Sequence, residues 1–471
     1  MMLLIPVLLA LWSACTALAS SAAGSRVLAV VSDGDAGAYA PWLDALRTRG
    51  YQVTLRTEKD SEPLTRYGEA QFDHVALLAP ASKQLPAHLR AQELVSFAKQ
   101  GGNLLVALSP ELSEAWRAFA REFSLEFGER DAALIDHFGV DASDSGDHTA
   151  VLVGGPGAAR GGAAVQEPIF TRATLDLLAS RPFVYRGAAH WVGPNALVHS
   201  LLAPPATAYQ AEPPNPEKGA AALEAMQPLY EARPLLTGFD AFGGDATASL
   251  ASAMQLLESS ARVTFVGSTA LFQTRYSEDA VQRAVVDDLV SWTFQERGVL
   301  RVVRTAHERV RRDEHDVRPE YEEEPGVAKM YRIKDHVAYS LDLEAWDGQQ
   351  FVPAPPTLDL QMSAWMLDPY VTVPLRAVGQ VGNATRYATE FQLPARHGVY
   401  TMKVNWKRPG WTYVVTHDTA PVRPFNHNEY PRMLSSSWPY VAGAFSTMAG
   451  FSVFVYLWLI TGRDKVASKV E

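Results

Sequence analysis

The sequence predicts an α/β fold class in three parts: a doubly wound parallel-sheet domain, a β-sandwich-like domain and one C-terminal transmembrane helix. Over residues 24–298, apolar runs of strand length alternate with helical patterns, which favours a parallel sheet covered on both faces. From residue 329 the apolar spacing changes to two, and short strands separated by turns are typical of a sandwich. Residues 434–462 contain no Asp, Glu, Lys or Arg, as a membrane-spanning helix requires.

The first domain, residues 24–298, begins with the buried run Val27–Val31 and a helix over Ala38–Arg49 that Gly50 ends. Gly- and Pro-rich stretches at 154–164 and 203–222 predict long surface insertions. The other predicted strands are Val53–Leu55, His74–Ala79, Asn103–Leu108 and Val263–Gly267, and the other predicted helices are Leu89–Lys99 and Glu278–Gln295.

A charged connector at 299–328 is predicted to separate the two domains, with Arg304–Glu324 read as a solvated linker. The second domain, residues 329–432, begins with His336–Glu344, where alternate residues are apolar, and Asp347-Gly348 predicts a hairpin turn. Further strands are predicted at Gln349–Val352, Leu358–Met362, Val371–Val373, Tyr387–Leu393, Val399–Trp406 and Thr412–Thr416.

The two ends of the chain predict its membrane topology. A short apolar run at Leu3–Trp12, followed by small residues, predicts a signal peptide over 1–23. Ala17 and Ala19 form an A-x-A cleavage pattern and Ala23 is a second possible exit, while an uncleaved anchor is the alternative. The transmembrane helix is predicted at 438–461, with residues 462–471 as a cytosolic tail.

Positive charge sets the expected orientation of that helix. Arg463, Lys465 and Lys469 follow the span, whereas only Arg432 lies just before it. The positive-inside bias therefore predicts a cytosolic C-terminus and a type I, single-pass protein whose bulk is outside the cytosol.

Composition excludes several classes of function. A net charge of −10 argues against nucleic acid as a partner, since such proteins present a basic face. The single cysteine, Cys15, lies in the predicted signal peptide. Disulfides, cysteine-based zinc sites and a thiol nucleophile are therefore not expected in the mature chain.

No motif predicts a catalytic or cofactor site. The loop Ser32–Gly37 lacks the glycine spacing of nucleotide sites and is acidic. Ser109 lacks the flanking glycines of a nucleophile elbow, and we interpret it as the N-cap of a helix that begins at Pro110. His307-Glu308 fails as a zinc-protease motif because Arg311 occupies the second ligand position.

A cluster of acidic and histidine residues is the densest set of possible metal ligands. We expect a polar surface loop there and no metal, because the spacing does not match an EF-hand. The residues that would form a metal site are Asp136, His137, Asp144 and His148.

Two further features concern modification and packing. Asn383-Ala384-Thr385 is an N-x-[ST] sequon, so Asn383 is a possible glycosylation site. Ala442, Ser446 and Gly450 repeat at intervals of four and predict a face on which another membrane helix can pack closely. An ordinary lipid-facing helix is the alternative.

Seven stretches, in this order and spacing, resemble one known family, the membrane-anchored 48 kDa subunits of the oligosaccharyltransferase complex. They are Leu46–Thr57, Tyr67-Gly68-Glu69, Phe97–Ala107, Ala133–His148, Trp292–Val302, Val337–Leu343 and Val422–Phe445. The resemblance departs at the C-terminus, where Ala467 and Ser468 leave a dilysine retrieval signal incomplete.

The resemblance implies a non-catalytic scaffold subunit in the endoplasmic reticulum membrane, without a cofactor. Its complex transfers an oligosaccharide en bloc from dolichyl diphosphate to Asn of N-x-S/T sequons. The implied partners are a multi-spanning catalytic subunit and other subunits such as the ribophorin and defender-against-cell-death types. Two alternatives stay open: a lumenal module that binds glycan or lipid head groups through the acidic loop at Asp33, and an amidotransferase- or hydrolase-like enzyme that uses Ser109.

Overall fold

The computed structural model describes most of the chain and shows two folded domains followed by a long helix. The described residues are 21–32, 36–58, 62–78, 89–156, 168–213, 233–234, 247–310, 330–427, 429–430 and 435–467. Residues 1–20 of the predicted signal peptide lie outside them, as do the acidic loop at 33–35 and residues 311–329 of the predicted connector.

The first domain contains strands β1–β17 and helices α1–α6. The strands are β1 (Arg26–Val31), β2 (Gln52–Thr57), β3 (Thr65–Arg66), β4 (Glu69–Ala70), β5 (His74–Leu78), β6 (Asn103–Ala107), β7 (Leu125–Phe127), β8 (Ala133–Ile135), β9 (Val151–Gly154), β10 (Pro182–Tyr185), β11 (His190–Val192), β12 (Val198–Leu202), β13 (Tyr209–Ala211), β14 (Arg233–Pro234), β15 (Thr247–Ser249), β16 (Ala251–Gln255) and β17 (Arg262–Val266). The helices are α1 (Ala40–Thr48), α2 (Ala91–Lys99), α3 (Glu114–Arg121), α4 (Arg172–Ser180), α5 (Arg275–Glu278) and α6 (Ala280–Thr293), with a 3₁₀ turn at Ala270–Phe272.

A seven-stranded sheet in the order β12-β16-β17-β6-β5-β1-β2 organises this domain. The five strands from β17 to β2 pair in parallel, and β16 and β12 extend one edge in antiparallel pairs. Helices α1 and α6 pack on one face of the sheet, and α2 and α3 pack on the other. The predicted doubly wound α/β class is therefore confirmed, with an antiparallel edge that the sequence analysis did not anticipate.

The second domain contains strands β18–β26. They are β18 (Leu300–Val310), β19 (Tyr331–Arg332), β20 (His336–Trp346), β21 (Phe351–Pro353), β22 (Leu360–Met366), β23 (Asp368–Val381), β24 (Ala384–Gln392), β25 (Gly398–Trp406) and β26 (Val414–Arg423). They follow the order β18-β20-β24-β23-β22-β25-β26-β19, and β21 pairs with β20.

The long strand β23 joins two layers of this second domain. Residues 368–375 pair with β22, whereas residues 376–381 pair with β24 after a register shift near Gly379. Side chains from both layers contribute to one apolar core, which includes Tyr339, Leu360, Tyr387 and Tyr400. The predicted β-rich, sandwich-like domain is thus present, with one strand shared between its sheets.

Part of the predicted connector belongs to this second domain. Residues 300–310 form β18, which pairs antiparallel with β20 from Leu300 opposite Ala345 to Val310 opposite His336. The interpretation of Arg304–Glu324 as a solvated linker is therefore wrong over residues 304–310. The strand lies at the edge of the sheet and buries only Leu300 completely, so its sequence resembles a linker.

The chain ends in α7 (Trp438–Ala467), which follows a 3₁₀ turn at Ser435–Ser437. Residues 435–461 are long and apolar enough to cross a membrane, and their most apolar window buries 0% of its residues against the rest of the chain. This helix agrees with the predicted span at 438–461.

Candidate functional site

The crevice at the carboxyl ends of parallel strands is the usual ligand site of a doubly wound fold. At the end of β17, the chain itself occupies this place. Ala188 N–H donates to Gly267 O at 2.8 Å, and Leu134 N–H donates to Gly187 O at 2.8 Å. A Cβ atom at Gly187 would lie 2.2 Å from Gly267 O, so the two backbones touch directly. This part of the sheet edge holds no room for a ligand.

The acidic-loop hypothesis concerns the neighbouring part of the same edge. Asp33 lies outside the described residues, as do residues 79–88 after β5. The described beginning of that loop is engaged locally, because the Ser32 hydroxyl donates to Glu58 Oε1 at 3.3 Å.

Ser109 is positioned by a turn and does not cap a helix. Its backbone oxygen accepts a hydrogen bond from Leu112 N–H at 3.1 Å, and α3 begins only at Glu114, with Ser113 at the N-cap position. The predicted N-cap at Ser109 is therefore wrong. The reason is local: Pro110 and Glu111 form a separate turn before the helix starts.

The four candidate metal ligands come close together, and three of them, Asp136, His137 and Asp144, already form side-chain hydrogen bonds within the protein. The rings of His137 and His148 lie 4.7 Å apart, centroid to centroid, and His137 Nε2 lies 2.7 Å from the Tyr209 hydroxyl. The Asp136 carboxylate accepts from Phe138 N–H at 2.9 Å and from the Thr207 hydroxyl at 2.8 Å.

Asp144 organises the loop that contains it. Its carboxylate accepts backbone N–H groups from Gly146, His148 and Ala150 at 2.8–3.1 Å. Desolvation opposes ionisation, but these N–H donors hold the pKa of Asp144 below its usual value. Among the described residues, no group of three or more His, Cys, Asp or Glu side chains is arranged to hold a metal ion. The cluster therefore stabilises the conformation of its own loop.

The joint between the two domains is the most developed polar site. Arg262, at the start of β17, is 0% exposed and donates to the backbone oxygens of Trp292, Arg297 and Gly298 at 2.6–2.8 Å. These carbonyls follow the C-terminal turn of α6, where a cation is favoured by the helix dipole. Burial lowers the pKa of Arg262 to about 9, so the guanidinium remains charged at neutral pH.

The second domain contributes its 408–412 turn to this joint. Trp292 Nε1 donates to Gly410 O at 2.8 Å, and Thr412 N–H donates to Gly298 O at 2.8 Å. A Cβ atom at Gly298 would lie 2.2 Å from Gly410 O, and both glycines have positive φ. The joint was not predicted from the sequence. Its one sequence signal is Arg262, a charged residue at the first position of a buried strand.

The transmembrane candidate α7 carries the predicted packing face. Added Cβ atoms at Gly443 and Gly450 would meet nothing within 4 Å, and the Ser446 hydroxyl is bonded back to Gly443 O at 2.9 Å. Since its hydroxyl is satisfied within the helix, Ser446 adds little polarity to the face that also contains Ala442 and Gly450.

Comparison with known sequences decides the family. A model of the OST48 N-terminal domain matches residues 18–296, and a model of the OST48 middle domain matches residues 315–462. The chain belongs to the OST48 family. The first match ends just before Gly298 of the joint, and the second contains Gly410 and Thr412, so the joint connects the two matched regions.

Members of the OST48 family from distant organisms are similar over almost the whole chain. The dolichyl-diphosphooligosaccharide–protein glycosyltransferase 48 kDa subunits of Arabidopsis thaliana and Drosophila melanogaster are 29% and 30% identical, over 92% and 89% of this chain and 92% and 87% of theirs. The subunit wbp1 of Schizosaccharomyces pombe is 29% identical, over 93% of this chain and 92% of its own. Among solved structures, the mmIFT52 N-terminal domain covers 57% of this chain and 97% of its own at a TM-score of 0.38 and 13% identity.

Proposed function

We propose that this OST48-family chain is a non-catalytic structural subunit of an oligosaccharyltransferase complex. In that role it supports en bloc transfer of oligosaccharide from dolichyl diphosphate to Asn of N-x-S/T sequons, while a multi-spanning partner performs the chemistry. The names of relatives that align over about nine-tenths of the chain support membership of the complex. The closed end of β17 is consistent with a structural role, since residues 187–188 cover that strand end with backbone.

The single observation that carries the proposal is the uncovered apolar helix attached to two domains that are hydrogen-bonded to each other. Residues 435–461 bury none of their most apolar window against the chain, and 27 helical residues extend about 40 Å, enough to cross a bilayer. A helix so exposed requires lipid or other helices around it. A joined pair of domains on a membrane helix is suited to holding other subunits in place.

The proposed contact with the catalytic subunit is the small-residue face of α7. Helices associate in lipid through close packing, and small residues allow backbones to approach. Replacing Ala442, Ser446 and Gly450 together by Leu is expected to abolish co-purification of a multi-spanning glycosyltransferase subunit in mild detergent. Mass spectrometry of the tagged, purified complex measures the loss.

A matched triple variant controls for added bulk in the span. Ala444, Thr447 and Ser452 are also small and lie away from that face of α7 at 100° per residue, and their replacement by Leu should leave co-purification intact. If both triple variants still co-purify with the partners, the contact with the catalytic subunit is made by the folded domains and not by α7. If the unaltered chain purifies without any partner subunit, the proposed role in the complex is wrong. Ligand binding by the first domain then becomes the hypothesis to test.

The proposed topology places both folded domains in the lumen of the endoplasmic reticulum and the tail after α7 in the cytosol. Arg463, Lys465 and Lys469 after the span support this orientation through the positive-inside bias. The other proposed neighbours in the membrane are subunits of the ribophorin and defender-against-cell-death types.

A further inference from the structure

The chain leaves the second domain toward α7 at one end of the domain, as the strand register shows. The β22–β23 hairpin turns at this end, and an added Cβ at Gly398, which opens β25, would lie 2.3 Å from Met366 Sδ. Gly398 in turn pairs with Val422, one residue before β26 ends. We call this surface the span-side end and define it by Lys334, residues 365–370, residues 394–399 and Arg423.

The connection from this end to the membrane helix is short. Glu429 is held against the domain, because it forms ion pairs with Arg423 at 2.6 Å and with Arg332 at 3.2 Å. The apolar span begins at Ser435, six residues later. Six residues extend at most about 20 Å, so Glu429, which is held at Arg423 of the span-side end, lies within that distance of the start of the span.

The hairpin tip at the span-side end presents an exposed apolar side chain. Leu367 is 97% exposed and has φ of +70°, a conformation that is costly for a residue with a Cβ. Val399 is 61% exposed and Tyr370 is 39% exposed nearby. Among the described residues, nothing covers Leu367 that would account for its strained position.

Basic side chains surround this apolar tip. Lys334, Arg396 and His397 are exposed at the same end, and Arg396 Nη1 donates to the Tyr370 hydroxyl at 3.3 Å. Asp368 is the acidic exception beside Leu367. Lys and Arg around apolar residues suit a bilayer surface, where the cations meet lipid phosphates and the apolar groups enter the acyl boundary.

We propose that the span-side end docks on the bilayer itself, with Leu367 inserted among the lipids of the adjacent leaflet and Lys334 and Arg396 at the head groups. The domain would then be held to the membrane at two points, the span and the hairpin tip. This inference rests on α7 being a membrane span, and it does not require any partner subunit.

Site-specific fluorescence in lipid vesicles tests the proposal, because Cys15 is the chain's single cysteine. In a Cys15→Ser background, the full chain carries one new cysteine, labelled with an environment-sensitive dye, and is reconstituted into phosphatidylcholine–phosphatidylserine vesicles with or without nitroxide-labelled lipid. The dye attached at Leu367→Cys is expected to lose most of its fluorescence emission when the nitroxide-labelled lipid is present. Ser452→Cys, within α7, should lose it too.

The matched control is a second exposed hairpin tip at the other end of the same sheet. Asn383 precedes β24, whose far end, Gln392, pairs with His336 next to Lys334. The nine residues of β24 separate Asn383 from the span-side end by about 30 Å. A dye attached at Asn383→Cys should therefore keep its fluorescence emission.

Each remaining outcome decides against one specific claim. Quenching at Ser452 but not at Leu367 would overturn the docking proposal while the span stands. Absence of quenching at Ser452 would instead refute the span on which both proposals depend. A blue-shifted dye at Leu367 that nitroxide lipid does not quench would indicate a protein neighbour, and quenching at Asn383 equal to that at Leu367 would make the contact non-specific.

Discussion

Arg262 shows how one buried side chain can connect two domains. Its guanidinium donates to three backbone oxygens between Trp292 and Gly298, lies 4.7 Å from the Trp292 ring centroid, and approaches Thr412 of the second domain at 3.4 Å. The charged hydrogen bonds offset the cost of burying the cation. Because Arg262 donates to so many acceptors, no neighbouring side chain can replace its hydrogen bonds.

We therefore expect Arg262→Met to destabilise the chain by about 3 kcal/mol or more, because several buried carbonyls lose their donor. Thermal unfolding in detergent and limited proteolysis measure the effect, with new cleavage expected near the joint. Arg47→Met is the control: the side chains of Arg47 and its partner Asp44 are 50% and 68% exposed, so the loss of this surface ion pair should cost less than about 1 kcal/mol. Equal melting temperatures for the two variants would show that Arg262 does not hold the joint.

The first described element of the chain, Ser21–Gly24, packs into the α/β domain. The Ser21 side chain is buried, its hydroxyl lies 3.2 Å from His74 Nε2, and Ala22 N–H donates to Gln295 O at 3.1 Å. Burial lowers the pKa of His74 to about 4, so the ring is neutral. Asn103 Nδ2 faces His74 Nδ1 at 3.1 Å, which leaves Nε2–H to donate toward Ser21 and Gly24 O.

This packing discriminates between the two exits of the predicted signal peptide. Cleavage after Ala23 would remove Ser21 and leave part of the buried His74 network without a partner, whereas cleavage after Ala19 preserves it. We expect the mature chain to begin at Ser20. Intact-mass analysis and N-terminal sequencing of protein purified from its own cells read this directly. A mature chain beginning at Gly24 would contradict the expectation.

Among the secondary-structure elements, buried strands were predicted correctly and exposed strands were not. Val27–Val31 and Val263–Gly267 were predicted close to their observed positions, because central parallel strands are continuous apolar runs. Strand β18 was missed because this edge strand buries only one of its eleven residues and carries charged side chains. The outer half of β23 escaped prediction for the same reason, since its residues 376–381 are all exposed.

For the whole molecule, the order of two domains and one helix could be read from changes in periodicity. The joint could not, because it depends on residues 262 and 410–412, which are far apart in sequence. The closure of the β17 edge by Gly187 likewise results from an approach of distant backbones. The candidate metal cluster was assembled correctly in space, but its carboxylates are used by local N–H groups that a residue pattern cannot reveal.

The orientation of the whole molecule across the membrane can be tested at Asn383. This residue is exposed in the turn between β23 and β24, so a glycan there would meet no buried surface. If the domains are lumenal, we expect an endoglycosidase-sensitive mobility shift that Asn383→Gln abolishes, with Asn195→Gln, which alters no sequon, as the control. Protease protection of intact microsomes gives the independent readout, and digestion of the folded domains from the cytosolic side would contradict the topology.

The joint also bears on the order in which the protein folds during synthesis. The Trp292 indole N–H donates to Gly410 O, and Gly410 is synthesised shortly before the membrane helix. Domains generally fold from the N-terminus as the chain emerges. Here the Trp292 indole N–H lacks its acceptor in the second domain until nearly all of the polypeptide has been synthesised. A chain truncated before residue 410 would therefore present quality control with an incomplete first domain, although every strand of its sheet is already in place.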